Sequence, residues 1–259
     1  WALTMGGFGA GAKGTEKYAV ALSAGMAGSV NVIDSVVVAS ISSGSVITTD
    51  AGGVGAVKLS ATDDTMIVAN SVVVGAAGAE GKTSAVAASL GGSFAVNVIN
   101  KEVKSYISSS SATSAHQVEI NALSTGTIWA LTVGAVGAGA KSETSFGGAL
   151  SVAGAGSVNI VDNTIESYID TSTVISGSNK DISITAKDST LIMANAGLLG
   201  VAVGLGTKAI AASLGGSVAI NTVTGDIRSY INDSTITSAG GLNLAAESNT
   251  TIWAMTLAG

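Results

Sequence analysis

From Phe146 onward the side chains of one parity read Phe146, Gly148, Leu150, Val152, Gly154, Gly156, Val158 and Ile160. The other parity reads Gly147, Ala149, Ser151, Ala153, Ala155, Ser157 and Asn159. Alternation with a period of two places successive side chains on opposite faces of an extended chain. The same pattern holds for Trp129, Leu131 and Val133 against Ala130, Thr132 and Gly134, and for Ile210, Ala212 and Leu214 against Ala209, Ala211 and Ser213. These runs are predicted strands with a bulky face and a small face. The bulky face is expected to fill a core, and the small face to let another backbone layer approach. Frequent Gly and β-branched residues disfavour a helix over the same stretches, including 85–90. Clusters of Ser, Thr, Asn, Asp and Gly between the runs read as turns.

The runs recur. Trp1-Ala-Leu-Thr4 returns as Ile128-Trp-Ala-Leu-Thr132 and Ile252-Trp-Ala-Met-Thr256, with Met66-Ile-Val-Ala-Asn70 and Leu191-Ile-Met-Ala-Asn195 at the intermediate positions. Gly28-Ser-Val-Asn-Val-Ile33 is matched by phrases beginning at Gly92, Gly156 and Gly216. Ser105-Tyr-Ile107, Ser167-Tyr-Ile169 and Ser229-Tyr-Ile231 form a third set, with Ala39-Ser-Ile41 as a weaker copy. These phrases define one repeat array over 1–259, with units at 1–65, 66–127, 128–190 and 191–251 and the start of a fifth at 252–259. The column Trp1, Val68, Trp129, Met193, Trp253 alternates large and smaller residues, which suggests a period of two units. The chain starts and stops at the same phase, as a segment of a longer array would.

An internal repeat decides the architecture before any single motif does. The expected fold is all-β: a parallel β-solenoid with an additional Gly/Ala-rich strand layer or hairpins. A unit of this length reads as too long for one coil. It is expected to supply two or three coils, or one coil plus a long hairpin folded at the turns near Lys13, Lys82, Lys141 and Lys208. Each unit then needs neighbours to bury its open ladder.

Composition sharpens this picture. The chain of 259 residues has 35 Gly, no Pro, 47% hydrophobic residues and only 11% charged ones. Absence of Pro suits strands paired on both sides, because Pro cannot donate to a ladder. The low charge excludes a disordered segment. A formal net charge of −6, with Lys scattered singly and Arg228 the lone Arg, leaves no basic stripe for phosphates, so nucleic acid is not an expected partner. No Cys is present, which removes disulfides, thiolate metal sites and thiol chemistry. Residues 120–140 carry no charge, but their Gly, Asn, Ser and Thr content and their place inside a repeat argue against a membrane span.

The phrase Gly216-Ser-Val-Ala-Ile-Asn221, followed by Ser229-Tyr-Ile-Asn-Asp-Ser-Thr-Ile-Thr237 and then Thr251-Ile-Trp-Ala-Met255, resembles repeats of giant bacterial surface proteins, the filamentous-haemagglutinin-like adhesins. The resemblance extends over the whole chain. It implies a secreted β-helical shaft at the cell surface, adhesion or cell–cell contact, and no catalysis.

The candidate chemistry is thin, and the reading assigns no catalytic, cofactor-binding or metal residue. His116 is the single His and reads as an exposed turn residue. Asp63, Asp64, Asp162, Asp170, Asp181, Asp188 and Asp233 read as turn residues recurring through the units, not as an acid–base pair. Calcium on such oxygen-rich turns is the alternative, although the glycine–aspartate nonapeptide that binds it in other repeats is absent. Gly134, Gly137 and Gly139 lack the Gly-Lys-Ser/Thr of a phosphate loop and read as close strand packing. Trp1, Trp129 and Trp253 are expected to form a buried ladder. Tyr106, Tyr168 and Tyr230 are expected to form a second, half-exposed ladder with hydroxyls outward. Asn232 and Asn249 begin sequons of the glycosylation type. The expected function is a non-enzymatic structural segment of an extracellular fibre or adhesin shaft. Its expected partners are copies of itself or neighbouring repeats; a module binding calcium or surface glycans is the alternative.

Overall fold

The fold is seen in a computed structural model that describes residues 1–49 and 55–259. The described residues form β1 (Ala2–Gly14), β2 (Tyr18–Ile41), β3 (Val46–Thr48), β4 (Val57–Gly81), β5 (Ser84–Ser108), β6 (Ser111–Thr113), β7 (Val118–Ser142), β8 (Phe146–Asp170), β9 (Thr173–Ile175), β10 (Ile182–Leu205), β11 (Lys208–Asn232), β12 (Thr235–Thr237) and β13 (Leu242–Ala258). Every pairing among them is parallel. Sheet A has the order β1-β4-β7-β10-β13, sheet B the order β11-β8-β5-β2, and a narrow sheet C the order β12-β9-β6-β3. The chain is an all-β parallel solenoid.

Each repeat makes one coil, not two or three. A long strand of sheet A crosses the full width, turns, returns as a long strand of sheet B, and closes through three residues of sheet C. Twenty-five residues in a strand such as β5 span about 80 Å at roughly 3.3 Å each. The Gly/Ala-rich stretch is therefore no extra layer. It is the far end of the same flattened coil, where sheets A and B lie directly face to face. The phrases at 66, 128 and 191 fall in mid-strand. The segments beginning at Ile182 and Leu242 are the starts of long sheet A strands.

The facing of the strands reverses the expectation about bulk. The small parity points inward: Ala149, Ala153, Ala155, Ser151 and Ser157 are all buried. The bulky parity points outward, leaving Leu150 39% and Phe94 41% exposed. The physical reason is the gap between the sheets, which is too narrow for two opposed layers of Leu or Phe. Ser151 Oγ of sheet B donates to the Val136 carbonyl of sheet A at 3.0 Å. A Cβ built at Gly134 would lie 3.0 Å from the Gly154 carbonyl oxygen across the gap. Such contacts require a spacing well below the roughly 10 Å of ordinary stacked sheets.

Where a large side chain does enter the narrow half, glycines receive it. Phe8, Gly75, Val136 and Gly200 form one inward column of sheet A, and Gly6, Val73, Gly134 and Leu198 the next. Large residues and glycines thus alternate from rung to rung. A Cβ at Gly75 or Gly25 would fall inside the Phe8 ring, one at Gly91 would meet Val136, and one at Gly215 would meet Leu198. Nearer sheet C the coil widens and holds an ordinary aliphatic core of Ile107, Ile120, Ile169, Ile182 and Ile184.

Gly75→Leu should destabilise the fold by about 1–3 kcal/mol through overpacking against Phe8. Gly137→Leu, which points outward with 3.9 Å to its nearest neighbour, should stay within about 0.5 kcal/mol of the parent. Urea midpoints of the two variants check this contrast.

Candidate functional site

Stacking in register turns single residues into columns, and the columns are the chemically distinctive feature of the molecule. Asn31 Nδ2 donates to Asn97 Oδ1 at 2.8 Å, Asn97 to Asn159 at 2.7 Å, and Asn159 to Asn221 at 2.7 Å. Asn97 and Asn159 are fully buried. An amide carries both donor and acceptor, so a column of Asn satisfies itself along the stack, and every coil supplies one link. This ladder, rather than the Gly-Ser phrase, marks the pairing of β2, β5, β8 and β11: Gly28 pairs with Phe94 and Gly156 with Val218. A shift of two residues keeps the facing of every side chain, so the phrase can slide while the faces persist.

Outside, Tyr106, Tyr168 and Tyr230 stack with ring centroids 4.8 and 4.9 Å apart and nearly parallel planes, half-exposed as expected. Burial, the neighbouring phenols of Tyr230 and Tyr106, and Glu166 push the Tyr168 hydroxyl up to about 12. Charged columns run beside this ladder. Lys104 lies 2.8 Å from Glu102 and 3.3 Å from Glu166, and at the far turn Glu80 sits between Lys13 and Lys141 at 3.6 and 3.7 Å. At the corner before sheet C, Ser109, Thr171 and Asp233 take positive φ. The serine after each of them bonds back to the strand end, and the Ser110 and Ser172 amides donate to the serine of the next coil.

The interior contains a polar seam that the hydrophobic pattern did not reveal. Asp63 in β4 faces inward and is ion-paired to Lys101 of β5 at 2.8 Å, with the lysine side chain wholly buried. Ser35 and Thr65 donate to the same carboxylate at 2.7 and 2.5 Å, and Lys101 also donates to the Thr125 carbonyl one coil on. Burial works against the charged form of Asp63. Hydrogen bonds from Lys101, Thr65 and Ser35, together with the ammonium charge, outweigh it and hold the carboxyl below its ordinary value. Two coils on, Asp188 occupies the Asp63 column and accepts from Asn163 at 3.1 Å and Thr190 at 3.0 Å.

The other candidates distribute as follows. Asp63, Asp64, Asp162 and Asp188 lie inside strands, so the turn assignment is corrected for all four; Asp63 and Asp188 are also buried. Inward polar residues broke the apolar alternation and imitated a turn; their partners on the opposite sheet make the position tolerable. Asp64 and Asp162 point outward from strands, Asp170 ends β8, and Asp181 and Asp233 sit in corners. The carboxylates therefore occupy different faces and coils. Among the described residues no group of three or more His, Asp or Glu is placed to hold a metal. His116 lies in the bend between β6 and β7, half-buried rather than exposed, and its carbonyl accepts from the Gly177 amide at 3.1 Å. Gly134 lines the narrow gap, while Gly137 and Gly139 face outward. Trp1, Trp129 and Trp253 do share one column with Val68 and Met193, but on the outer face of sheet A. Trp129 is 51% exposed, which corrects the buried ladder. No helix of the described residues is long and apolar enough to cross a membrane.

Because the Asp63 pKa is lowered on folding, its pairing stabilises the fold above the ordinary carboxylate range, and that contribution is lost as pH falls through it. Lys101→Met should cost about 3–5 kcal/mol at neutral pH, because it strands a buried carboxylate. The penalty should shrink below about pH 4, where the stranded carboxyl is protonated. Urea unfolding of both proteins at the two pH values checks the sign.

No protein-family model matches the chain, and neither a curated protein nor a solved structure matches it.

Proposed function

We propose that the chain is a non-enzymatic structural segment of an extracellular, cell-surface fibre or adhesin shaft, lengthened by the stacking of further coils on its two end rungs. One observation carries this reading. Among the described residues, the asparagine ladder ends with Asn31 Oδ1 lacking a donor at one end and Asn221 Nδ2 lacking an acceptor at the other. The ladder is directional, so a next coil placed in register on β11 would accept from Asn221 as Asn97 accepts from Asn31. Open parallel edges on β1 and β2 at one end, and on β11 and β13 at the other, offer the matching backbone groups. A further coil of the same chain continues these edges directly; a second copy whose β2 lies on β11 brings its β1 to the rung of β13, where residues 2–6 and 254–258 share positions and one of the two ends gives way. The likeness of the phrases to adhesin repeats supports the surface location.

Electron microscopy of concentrated protein should show unbranched fibres of uniform width with rungs about 4.8 Å apart along the axis. Asn221→Asp keeps the acceptor used by Asn159 but replaces the open donor with a carboxylate facing Asn31 of the next copy. It should give short particles at pH 7 and longer ones at pH 3–4. Monodisperse globular particles of the parent chain at every concentration would refute the reading.

A further inference from the structure

The outer face of sheet B is apolar across its far half, from Val86 to Val98 in β5 and from Phe146 to Ile160 in β8. It covers roughly 45 Å by 19 Å, taking about 3.3 Å per residue and about 4.8 Å per rung over four rungs. That is more than monomeric proteins commonly leave to water. Pairing two such faces would bury about 1,700 Å², the size of a standard stable interface.

The distribution of volume over this face identifies the occupant. Its centre line is the inward column Gly25, Gly91, Ala153, Gly215. The outward residues one and three positions on either side of that line are large against small. In β5, Leu90 is balanced by Gly92 and Phe94 by Ala88. In β8, Val152 is balanced by Gly154 and Leu150 by Gly156. The innermost pairs in β11 are Leu214 with Gly216 and Val218 with Ala212; in β2 they are Met26 with Ala24 and Leu22 with Gly28. A two-fold axis parallel to the stack and above the centre line superposes each residue on its counterpart. Along the centre of the face, ridges of one copy then meet small residues of the other in β5, β8 and β11; farther out Val86 meets Val96, Ile210 meets Ile220 and Phe146 meets Ile160, and in β2 the Gly28 position is covered by the Phe94 ring of its own copy. An apolar depression of about 300 Å³ around Ala88, Gly148 and Ala212 lies opposite the partner's Val218. We propose that sheet B pairs face to face with sheet B of a second copy of this chain, strands antiparallel across the interface, giving a four-sheet fibre. A hydrocarbon phase would reward apolarity but has no use for this balance of volumes, and it could not satisfy the open edges of the sheets.

The proposal deepens the fibre reading by naming its lateral partner, and its test counts sheet layers rather than fibre length. Gly154 and Gly216 have no atom within 4 Å of an added Cβ, and Gly92 has only ordinary contacts at 3.9–4.0 Å, so larger residues fit there without internal clash. The triple variant Gly92→Leu, Gly154→Val, Gly216→Leu fills the groove. It should weaken lateral association about tenfold or more while leaving thermal stability unchanged or higher. Adding Leu90→Gly, Val152→Gly and Leu214→Gly exchanges ridge and groove within each copy and should restore association. Cryo-electron micrographs should show four layers for the parent, two for the triple variant and four for the sixfold variant. Two layers for the parent would overturn the proposal, as would four for the triple variant. So would a two-layered parent that binds phosphatidylcholine vesicles. Short particles that still count four layers would sink the fibre reading alone.

Discussion

The narrow gap between sheets A and B constrains the rest of the fold. Two backbones that approach until a serine hydroxyl of one reaches a carbonyl of the other leave space for Ala, Ser and Gly, and for a large residue only opposite glycine. Dispersion and desolvation then come from close contact of many small groups instead of a few large side chains. Bulky residues are displaced to the outside, where they meet solvent or another surface. The interior of the narrow half is thus poorer in large hydrophobes than its exterior, the reverse of an ordinary domain.

In-register stacking is the second constraint, and it follows from the first. A coil about 80 Å wide and one strand deep buries little by itself, so its neighbours must complete it. Stacking repeats every interaction at one-rung intervals. An amide becomes a ladder, a phenol becomes a stack, and charges of opposite sign alternate along a column. Like charges stacked at that spacing would repel, which explains why Glu80 separates Lys13 from Lys141. The Lys101–Asp63 pair shows the same economy inside, where one ammonium joins two coils through Asp63 and Thr125.

The strand class, the parallel stacking and the columns of Tyr and of Trp with its neighbours were legible in the sequence, because alternation and repetition are written directly in it. The facing of the strands was not. A bulky face and a small face look the same whichever points inward, and only the gap decides. The coil count was obscured by Asp63, Asp188 and Thr190, inward polar residues that made one strand of 24–25 residues read as two elements with a turn between. The asparagine ladder was present in every repeat phrase. It could have been found by asking which amide recurs on the inward parity, since an amide carries both donor and acceptor and can bond its own copies.

One coil per repeat requires residues 62 apart to be neighbours on one face. The chain has no cysteine, so an introduced pair reports this without background. Asn100 and Asp162 are exposed partners on β5 and β8, and parallel neighbours lie within the Cα separation a disulfide spans. The double variant Asn100→Cys, Asp162→Cys should form an intramolecular disulfide under mild oxidation, with unchanged circular dichroism. Asn100→Cys paired with a cysteine at Leu131, half a repeat away, should not. Cross-linking of 100 to 131 and not to 162 would contradict the single wide coil.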